Sequence, residues 1–154
     1  MRATEEPVTL SVVRKALLII LVLGIAGVLL ELLLLEHTDG KLQLLPVGLL
    51  VAGLLVVSGH VVIPANGALL RALQAAMALF VVSGAAGVFF HYRGNAEFEV
   101  ERNVAIAGFD LFRESMMGAT PALAPGAMVQ LGLIGLAYTF RHPALSRQET
   151  SRAV

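Results

Sequence analysis

Few ionisable side chains interrupt the long apolar runs of this chain, and Glu31 is the only acidic residue well inside one of them, ALLIILVLGIAGVLLELLLL. In a membrane, a carboxylate at mid-depth costs about 2.5–3.5 kcal/mol, so such groups are commonly functional. Gly24 and Gly27 share a helical face with Glu31, which predicts that its side chain points into a helix bundle, toward His91 or Arg93. Glu31 is therefore a candidate proton relay or substrate contact, although an interhelical hydrogen bond or a snorkelling side chain would also explain it.

The four histidines fall at the ends of apolar runs. His37 and His91 follow the first and third runs on one side, and His60 and His142 end the second and fourth on the other. Two such pairs are what a two-haem cytochrome needs, and imidazoles beside carboxylates can also bind metal ions. However, haem must be buried, and no HxxxH or HExxH spacing occurs. We predict no cofactor and no metal, with haem or metal binding as a minor alternative.

Charged and apolar residues alternate in HYRGNAEFEVE, which begins at His91. Glu97, Glu99 and Glu101 alternate with Phe98 and Val100. A period of two is typical of an extended segment, here with one acidic face and one apolar face. An exposed extended edge can pair with another chain, so we predict an interaction surface.

A second pattern follows in GFDLFRESMM, residues 108–117. Phe109, Phe112 and Met116 are spaced i, i+3 and i+7, which predicts a short amphipathic helix lying in the membrane interface. These residues join the three glutamates in the predicted interaction surface.

The composition requires elements that cross a membrane. The chain is 57% hydrophobic and 14% charged, whereas an average soluble domain is about 25% charged. About 20 apolar residues cross the hydrocarbon as a helix, because unpaired backbone groups are not tolerated there. We therefore predict one all-α domain, residues 1–154, in which a four-helix transmembrane bundle carries an ordered outer loop with a short helix. The spans are 16–36, 44–63, 69–91 and 121–140, and the outer loop is 92–120.

Two features refine this topology. Pro125 could restart the fourth span, so that this span is entered by an irregular segment or kinked near the surface. Lys and Arg are enriched on the side of the termini, which predicts cytoplasmic N- and C-termini. Seven lie on that side, namely Arg2, Arg14, Lys15, Arg71, Arg141, Arg147 and Arg152, against Lys41, Arg93, Arg102 and Arg113 on the other.

Several chemistries find no support in the sequence. There is no cysteine, no GxSxG elbow, no phosphate-binding loop and no basic patch with interleaved aromatics, and formal net charge is zero. We predict neither an enzyme nor a nucleic-acid-binding protein.

HYRGNAEFE and GATPALAPGAMVQLGLIGLAYTFRHP resemble small bacterial four-span membrane proteins with no established activity. The resemblance covers the second half of the chain and implies a bacterial inner membrane location. It implies no catalytic or binding residues.

Two functional hypotheses follow. The first is an accessory component of a membrane assembly, in which the outer loop binds a membrane-protein partner or a second copy of the chain. The alternative is a protein that binds or transports a small molecule, a proton or an ion through a polar path formed by Glu31, Gln130, His91 and Arg93.

Overall fold

The computed structural model describes residues 7–145, and this part of the chain contains helices and no strand. The helices are α1 (Val8–Leu34), α2 (Lys41–Val62), α3 (Gly67–Arg102), α4 (Gly108–Met116) and α5 (Gly126–Thr139). The predicted all-α class is confirmed for these residues, as is the short helix in the outer loop. Arg2, Arg147 and Arg152, on which the charge bias partly depends, lie outside the described residues.

Three of the helices, α1, α2 and α3, are long and apolar enough to cross a membrane. The 22 residues of α2 alone extend about 33 Å, against about 30 Å of hydrocarbon. Large apolar side chains on these helices face outward, including Leu23, Leu55 and Val82, which are 67%, 69% and 66% exposed. An outward-facing apolar surface on long helices indicates an integral membrane protein.

Helix α5 is shorter than the predicted fourth span. Its 14 residues extend about 21 Å, and it begins at Gly126, directly after Pro125. The predicted span 121–140 therefore starts with an irregular segment, since residues 122–125 form turns. Pro125 lacks an N–H and fits the boundary of a helix, which explains the position of this break.

Helices α1, α2, α3 and α5 contact one another in four pairs. Helix α3 contacts α2 and α5, and α1 contacts the same two helices. Helices α3 and α5 approach most closely at glycines. A Cβ atom added at Gly132 would lie 2.6 Å from the Met77 carbonyl oxygen, and one at Gly84 would lie 2.8 Å from the Pro125 carbonyl oxygen. The buried core cluster lies among these helices and consists of Leu21, Ile25, Leu50, Val57, Leu70, Leu73, Met77, Phe80, Met128, Leu131, Tyr138 and Ala144.

The two ends of this arrangement differ. The end that carries residues 62–67 and 140–145 is called the terminal end below, and the end that carries residues 35–40 and 92–125 is called the loop end. Arg14 contacts Tyr138 at the terminal end, and Gly84 faces Pro125 toward the loop end.

The prediction of an extended AEFEVE segment was wrong, because α3 continues past residue 91 to Arg102. Helical ion pairs stabilise this extension. Arg93 pairs with Glu97 at 2.7 Å and i, i+4 spacing, and Arg102 pairs with Glu99 at 2.7 Å. Asn95 and Glu99, one helical turn apart, are both buried. The buried residues are thus spaced four apart, as expected for a helix, and the alternation of the glutamates does not produce an extended segment.

Candidate functional site

A cavity of about 540 Å³ lies at the loop end, between α1, α2, α3 and the segment 120–128. We call it the loop-end cavity. Its walls are mostly apolar, with Val28, Leu32, Phe90 and Met128 among them. Its volume lies within the range of about 300–1,000 Å³ found for small-molecule pockets, which also combine apolar walls with a few polar groups. The polar side chains that line it are Glu31, His37, Gln43, Ser83, His91 and Thr120.

The turn after α1 positions His37 at the cavity. Glu36 adopts a left-handed conformation with φ of 51°, its N–H donates to the Leu33 carbonyl at 3.2 Å, and the His37 N–H donates to the Leu32 carbonyl at 2.9 Å. This pair of hydrogen bonds is a Schellman motif, which reverses the chain at a helix C-terminus. The reversal places His37 back over the end of α1, with its ring centroid 6.4 Å from that of His91.

His91 connects α3 to the segment that precedes α5. Its Nδ1 atom lies 3.1 Å from the Pro121 carbonyl oxygen. A carbonyl oxygen can only accept, so Nδ1 carries the proton in this hydrogen bond, and a neutral ring then leaves Nε2 as an acceptor. His91 thus closes one side of the cavity and presents a hydrogen-bonding ring within it.

The structure brings together only part of the predicted polar path. Glu31 lines the cavity with His91, one of its two expected partners, although its side chain is exposed rather than buried among the helices. Arg93 is not its partner, because Arg93 is exposed and pairs with Glu97. Gln130 is exposed on α5 and does not line the cavity. Successive side chains on a helix point in directions about 100° apart. The spacing of residues in the sequence therefore does not determine whether two side chains on different helices face each other.

The predicted interaction surface is carried by α4 and the end of α3. Asn95, which is buried, attaches the segment after α4 to α3. Its Nδ2 atom donates to the Ser115 and Thr120 carbonyls at 2.9 and 2.7 Å, and its Oδ1 atom accepts from the Thr120 N–H at 3.3 Å. Glu97 and Glu101 are exposed, whereas Glu99 is buried with its carboxylate on Arg102. Glu99 therefore cannot belong to the surface.

Aromatic side chains cluster on the outside of α4. Phe109 and Phe112 are 75% and 48% exposed, and the ring of Phe112 lies 6.2 Å from Phe109 and 6.0 Å from Tyr92 between centroids. Met116 is half-buried. On the polar side of α4, the hydrogen bond and charge of Glu114 raise the pKa of Arg113 above its usual value, so this arginine keeps its charge. The face of α4 is thus aromatic with a charged flank.

The predicted pair of His60 and His142 at the terminal end belongs to a larger polar cluster, and sequence reasoning missed the two other members, Arg14 and Tyr138. Arg14 is 8% exposed, and its guanidinium donates to the carbonyls of Tyr138, Phe140 and Arg141 at 2.7, 3.1 and 3.2 Å. The last carbonyls of a helix lack intrahelical partners and carry partial negative charge, so a buried cation is stabilised there. Arg14 therefore anchors the beginning of α1 to the end of α5.

The same cluster contains three rings. His60 Nε2 and the Tyr138 hydroxyl form a hydrogen bond of 2.6 Å, and the ring of His142 lies 5.6 Å from His60 and 5.5 Å from Tyr138. The buried Nδ1 of His60 has no hydrogen-bond partner. Tyr138 and His142 are four residues apart, a spacing that could have indicated their proximity in the sequence.

Within residues 7–145 the structure brings no three His, Cys, Asp or Glu side chains together in a group that could hold a metal ion.

Three long apolar helices and the shorter helix α5 pack together. The chain therefore belongs to the class of helical proteins that are integrated into a membrane. Comparison with protein-family models, with curated proteins and with solved structures finds no match to this chain. Its function must therefore be argued from its own residues.

Proposed function

We propose that the protein is a membrane-embedded binding protein that takes a small molecule into the loop-end cavity. The observation that carries this proposal is the cavity itself, with about 540 Å³ between apolar helix walls and the polar side chains of Glu31, His37 and His91 at one end. A mostly apolar pocket with a few convergent polar groups is the usual form of a small-molecule site.

The proposed setting is a four-helix transmembrane bundle in which α5 is the fourth crossing. The glycine contacts of α5 with α3 support this, because close backbone approach stabilises helix pairs within lipid. The basic residues favour cytoplasmic termini, which would place the loop-end cavity at the outer face. The resemblance of the second half of the chain to small bacterial four-span proteins favours the bacterial inner membrane.

Native mass spectrometry of the gently extracted full chain tests the binding function. Ala86 and Ala85 are adjacent exposed residues on α3, but only Ala86 lines the cavity. We expect a bound small molecule on the wild-type protein and on Ala85→Phe, and its loss from Ala86→Phe, because the added ring occupies the cavity. Equal ligand occupancy on both variants would contradict the proposal.

A second candidate function is supported by the aromatic face of α4. Phe109 and Phe112 are large, exposed and held in place by the attachment of α4 to α3 through Asn95. Exposed aromatic clusters are typical of interaction surfaces. In this hypothesis the protein is an accessory component, and α4 together with Glu97 and Glu101 binds a membrane-protein partner or a second copy of the chain.

Chemical crosslinking in membranes of the host tests this second function. We expect Phe109→Ser combined with Phe112→Ser to remove a specific crosslinked species, while Phe98→Ser, which changes an exposed ring on α3, leaves it unchanged. An identical crosslinking pattern in the double variant and the wild type would count against a partner at α4.

A further inference from the structure

We infer that the ligand of the loop-end cavity is a lipophilic cation, a molecule with an apolar body and an ammonium or phosphonium-like head. This inference rests on the proposed binding function and names the class of ligand. Among residues 7–145, Glu31 is the only Asp, Glu, Lys or Arg that lines the cavity. The cavity therefore combines apolar walls with one formal negative charge.

No basic side chain neutralises that charge. Within the part of the chain that the structure describes, Glu31 forms no ion pair, and the ion pairs present join Arg93 to Glu97, Arg102 to Glu99 and Arg113 to Glu114. A carboxylate at the edge of an apolar cavity attracts a cation that comes with the ligand, and this attraction strengthens where the bound ligand displaces water. An anionic ligand would be repelled by the same group.

The other polar groups of the cavity are compatible with this head group. His91 donates to the Pro121 carbonyl through Nδ1, which fixes the position of its ring at the cavity wall. Phe90 also lines the cavity and is half exposed, and an aromatic face attracts a cation within about 6 Å. The carboxylate and the Phe90 ring thus line the same cavity, and among residues 7–145 no Lys or Arg lines it to hold an anion.

The position of Glu31 suits an amphiphile that arrives from the bilayer. Glu31 lies in the last turn of α1, close to the loop end, while Val28 and Met128 line deeper parts of the same cavity. A ligand can therefore keep its charged head near the interface and place its apolar body between the helices. This is the orientation that an amphiphile already has in a lipid leaflet.

Two probes of the same shape and opposite charge test the inference: tetraphenylphosphonium and tetraphenylborate, with triphenylphosphine oxide as a neutral analogue. Binding to the full chain in lipid nanodiscs is measured by equilibrium dialysis, and empty nanodiscs supply the lipid background. We expect tetraphenylphosphonium to bind at least about tenfold more tightly than the other two. Binding should be lost in Ala86→Phe and in Ala124→Phe, a second cavity-lining position, but retained in Ala85→Phe.

The charge itself is tested with Glu31→Gln, which keeps the size of the side chain. We expect this variant to lose about tenfold in affinity for the cation and to bind the neutral analogue as before. Glu36→Gln is the matched control, because Glu36 is exposed nearby but does not line the cavity. Gel filtration and circular dichroism show whether each variant folds.

The outcomes separate the two proposals. If the neutral analogue binds in a manner sensitive to Ala86→Phe and the cation binds no better, the ligand class is overturned while the binding function stands. An unchanged cation affinity in Glu31→Gln likewise overturns the ligand class. If none of the probes shows binding that depends on positions 86 and 124, both proposals fall.

Discussion

At the scale of single residues, Glu31 and Arg14 show two ways in which a charged group is accommodated on an apolar helix. Glu31 is exposed at the edge of the loop-end cavity, where its carboxylate is accessible to a ligand. Arg14 is buried instead, and its charge is matched by three carbonyls at the end of α5. The exposed charge is a candidate for binding, whereas the buried one holds two helices together.

Arg14→Met is expected to destabilise the protein by about 2–3 kcal/mol, because the charge-assisted hydrogen bonds of the guanidinium to the carbonyls of Tyr138, Phe140 and Arg141 are lost. Methionine keeps most of the apolar contacts of the arginine side chain, so the change in stability measures the contribution of the guanidinium group. The change is measured by unfolding in mixed micelles. Lys15→Met, at the exposed neighbouring position, is the control and should leave stability within about 0.5 kcal/mol of wild type. Equal loss in both variants would contradict the anchoring role.

The positions of the ionisable residues within or beside the apolar runs were predictable from the sequence. The residues that they contact were not. Arg14 contributes to the charge bias of the termini, and its contact with α5 depends on a neighbour 124 positions away. Glu31, Gln130 and Arg93 were assigned to one polar path, although the structure separates them. Such placement depends on the rotation of each helix, which the weak amphipathicity of membrane helices does not determine.

At the scale of elements, α3 is the feature that most changes the predicted architecture. Its 36 residues extend about 54 Å, so it is longer than the hydrocarbon requires and continues beside α4. The predicted outer loop, residues 92–120, is therefore partly helical. Its first part is the end of α3, and Asn95 attaches its last part to that helix.

Asn95→Ala is expected to loosen α4 without unfolding the long helices. The substitution leaves the Ser115 and Thr120 carbonyls without their donor, at a cost of about 1–3 kcal/mol. Limited proteolysis should cut within residues 103–120 faster than in the wild type, while hydrogen exchange in α1 and α2 stays unchanged. Glu97→Ala, on an exposed face of the same helix, is the control. Unchanged proteolysis in Asn95→Ala would mean that α4 is held by other contacts.

Gly132→Ala is expected to weaken the contact between α3 and α5. The new Cβ atom would lie 2.6 Å from the Met77 carbonyl oxygen, so the helices must separate, and overpacking of this kind costs about 1–3 kcal/mol. Gly126→Ala is the matched control, because a Cβ atom there meets nothing within 4 Å. A comparison of the two unfolding midpoints in detergent measures the difference. A lower midpoint for Gly126→Ala than for Gly132→Ala would contradict the packing.

The elements themselves were largely predictable from local patterns. Run length and hydropathy located α1, α2 and most of α3, and the spacing of Phe109 and Phe112 located α4. The prediction failed at AEFEVE, where the alternation of the glutamates suggested an extended segment but the residues continue α3 and Glu99 is buried. The loop-end cavity could not be predicted, because it is formed by the relative positions of three helices and a turn.

At the scale of the whole molecule, α1, α2, α3 and α5 contribute to one buried apolar cluster, and the structures at the terminal end and the loop end differ. The terminal end is closed by Arg14, His60 and Tyr138, which join α1, α2 and α5. The loop end contains the cavity. The two ends therefore differ in that polar side chains fill one of them and a cavity opens at the other.

The proposed topology is tested with single cysteines, which are informative because the chain has none of its own. We expect Ala105→Cys to react with a membrane-impermeant maleimide from outside the cell, and Ala65→Cys and Arg141→Cys to react only after permeabilisation. The reason is that residue 105 lies at the loop end and the other two at the terminal end. Labelling of Arg141→Cys from outside would mean that α5 does not cross the membrane.

Site-specific photocrosslinking in the host membrane tests the central claim, that the loop-end cavity binds a small molecule, most directly. A diazirine analogue of leucine is placed at Leu32, which lines the cavity, or at Leu33, which is 51% exposed and does not line it. Adducts formed on irradiation are then identified by mass spectrometry. We predict a distinct low-mass adduct at position 32 and only bulk phospholipid at position 33. The same phospholipid adducts at both positions would contradict the claim and leave the cavity as an ordinary lipid-facing groove.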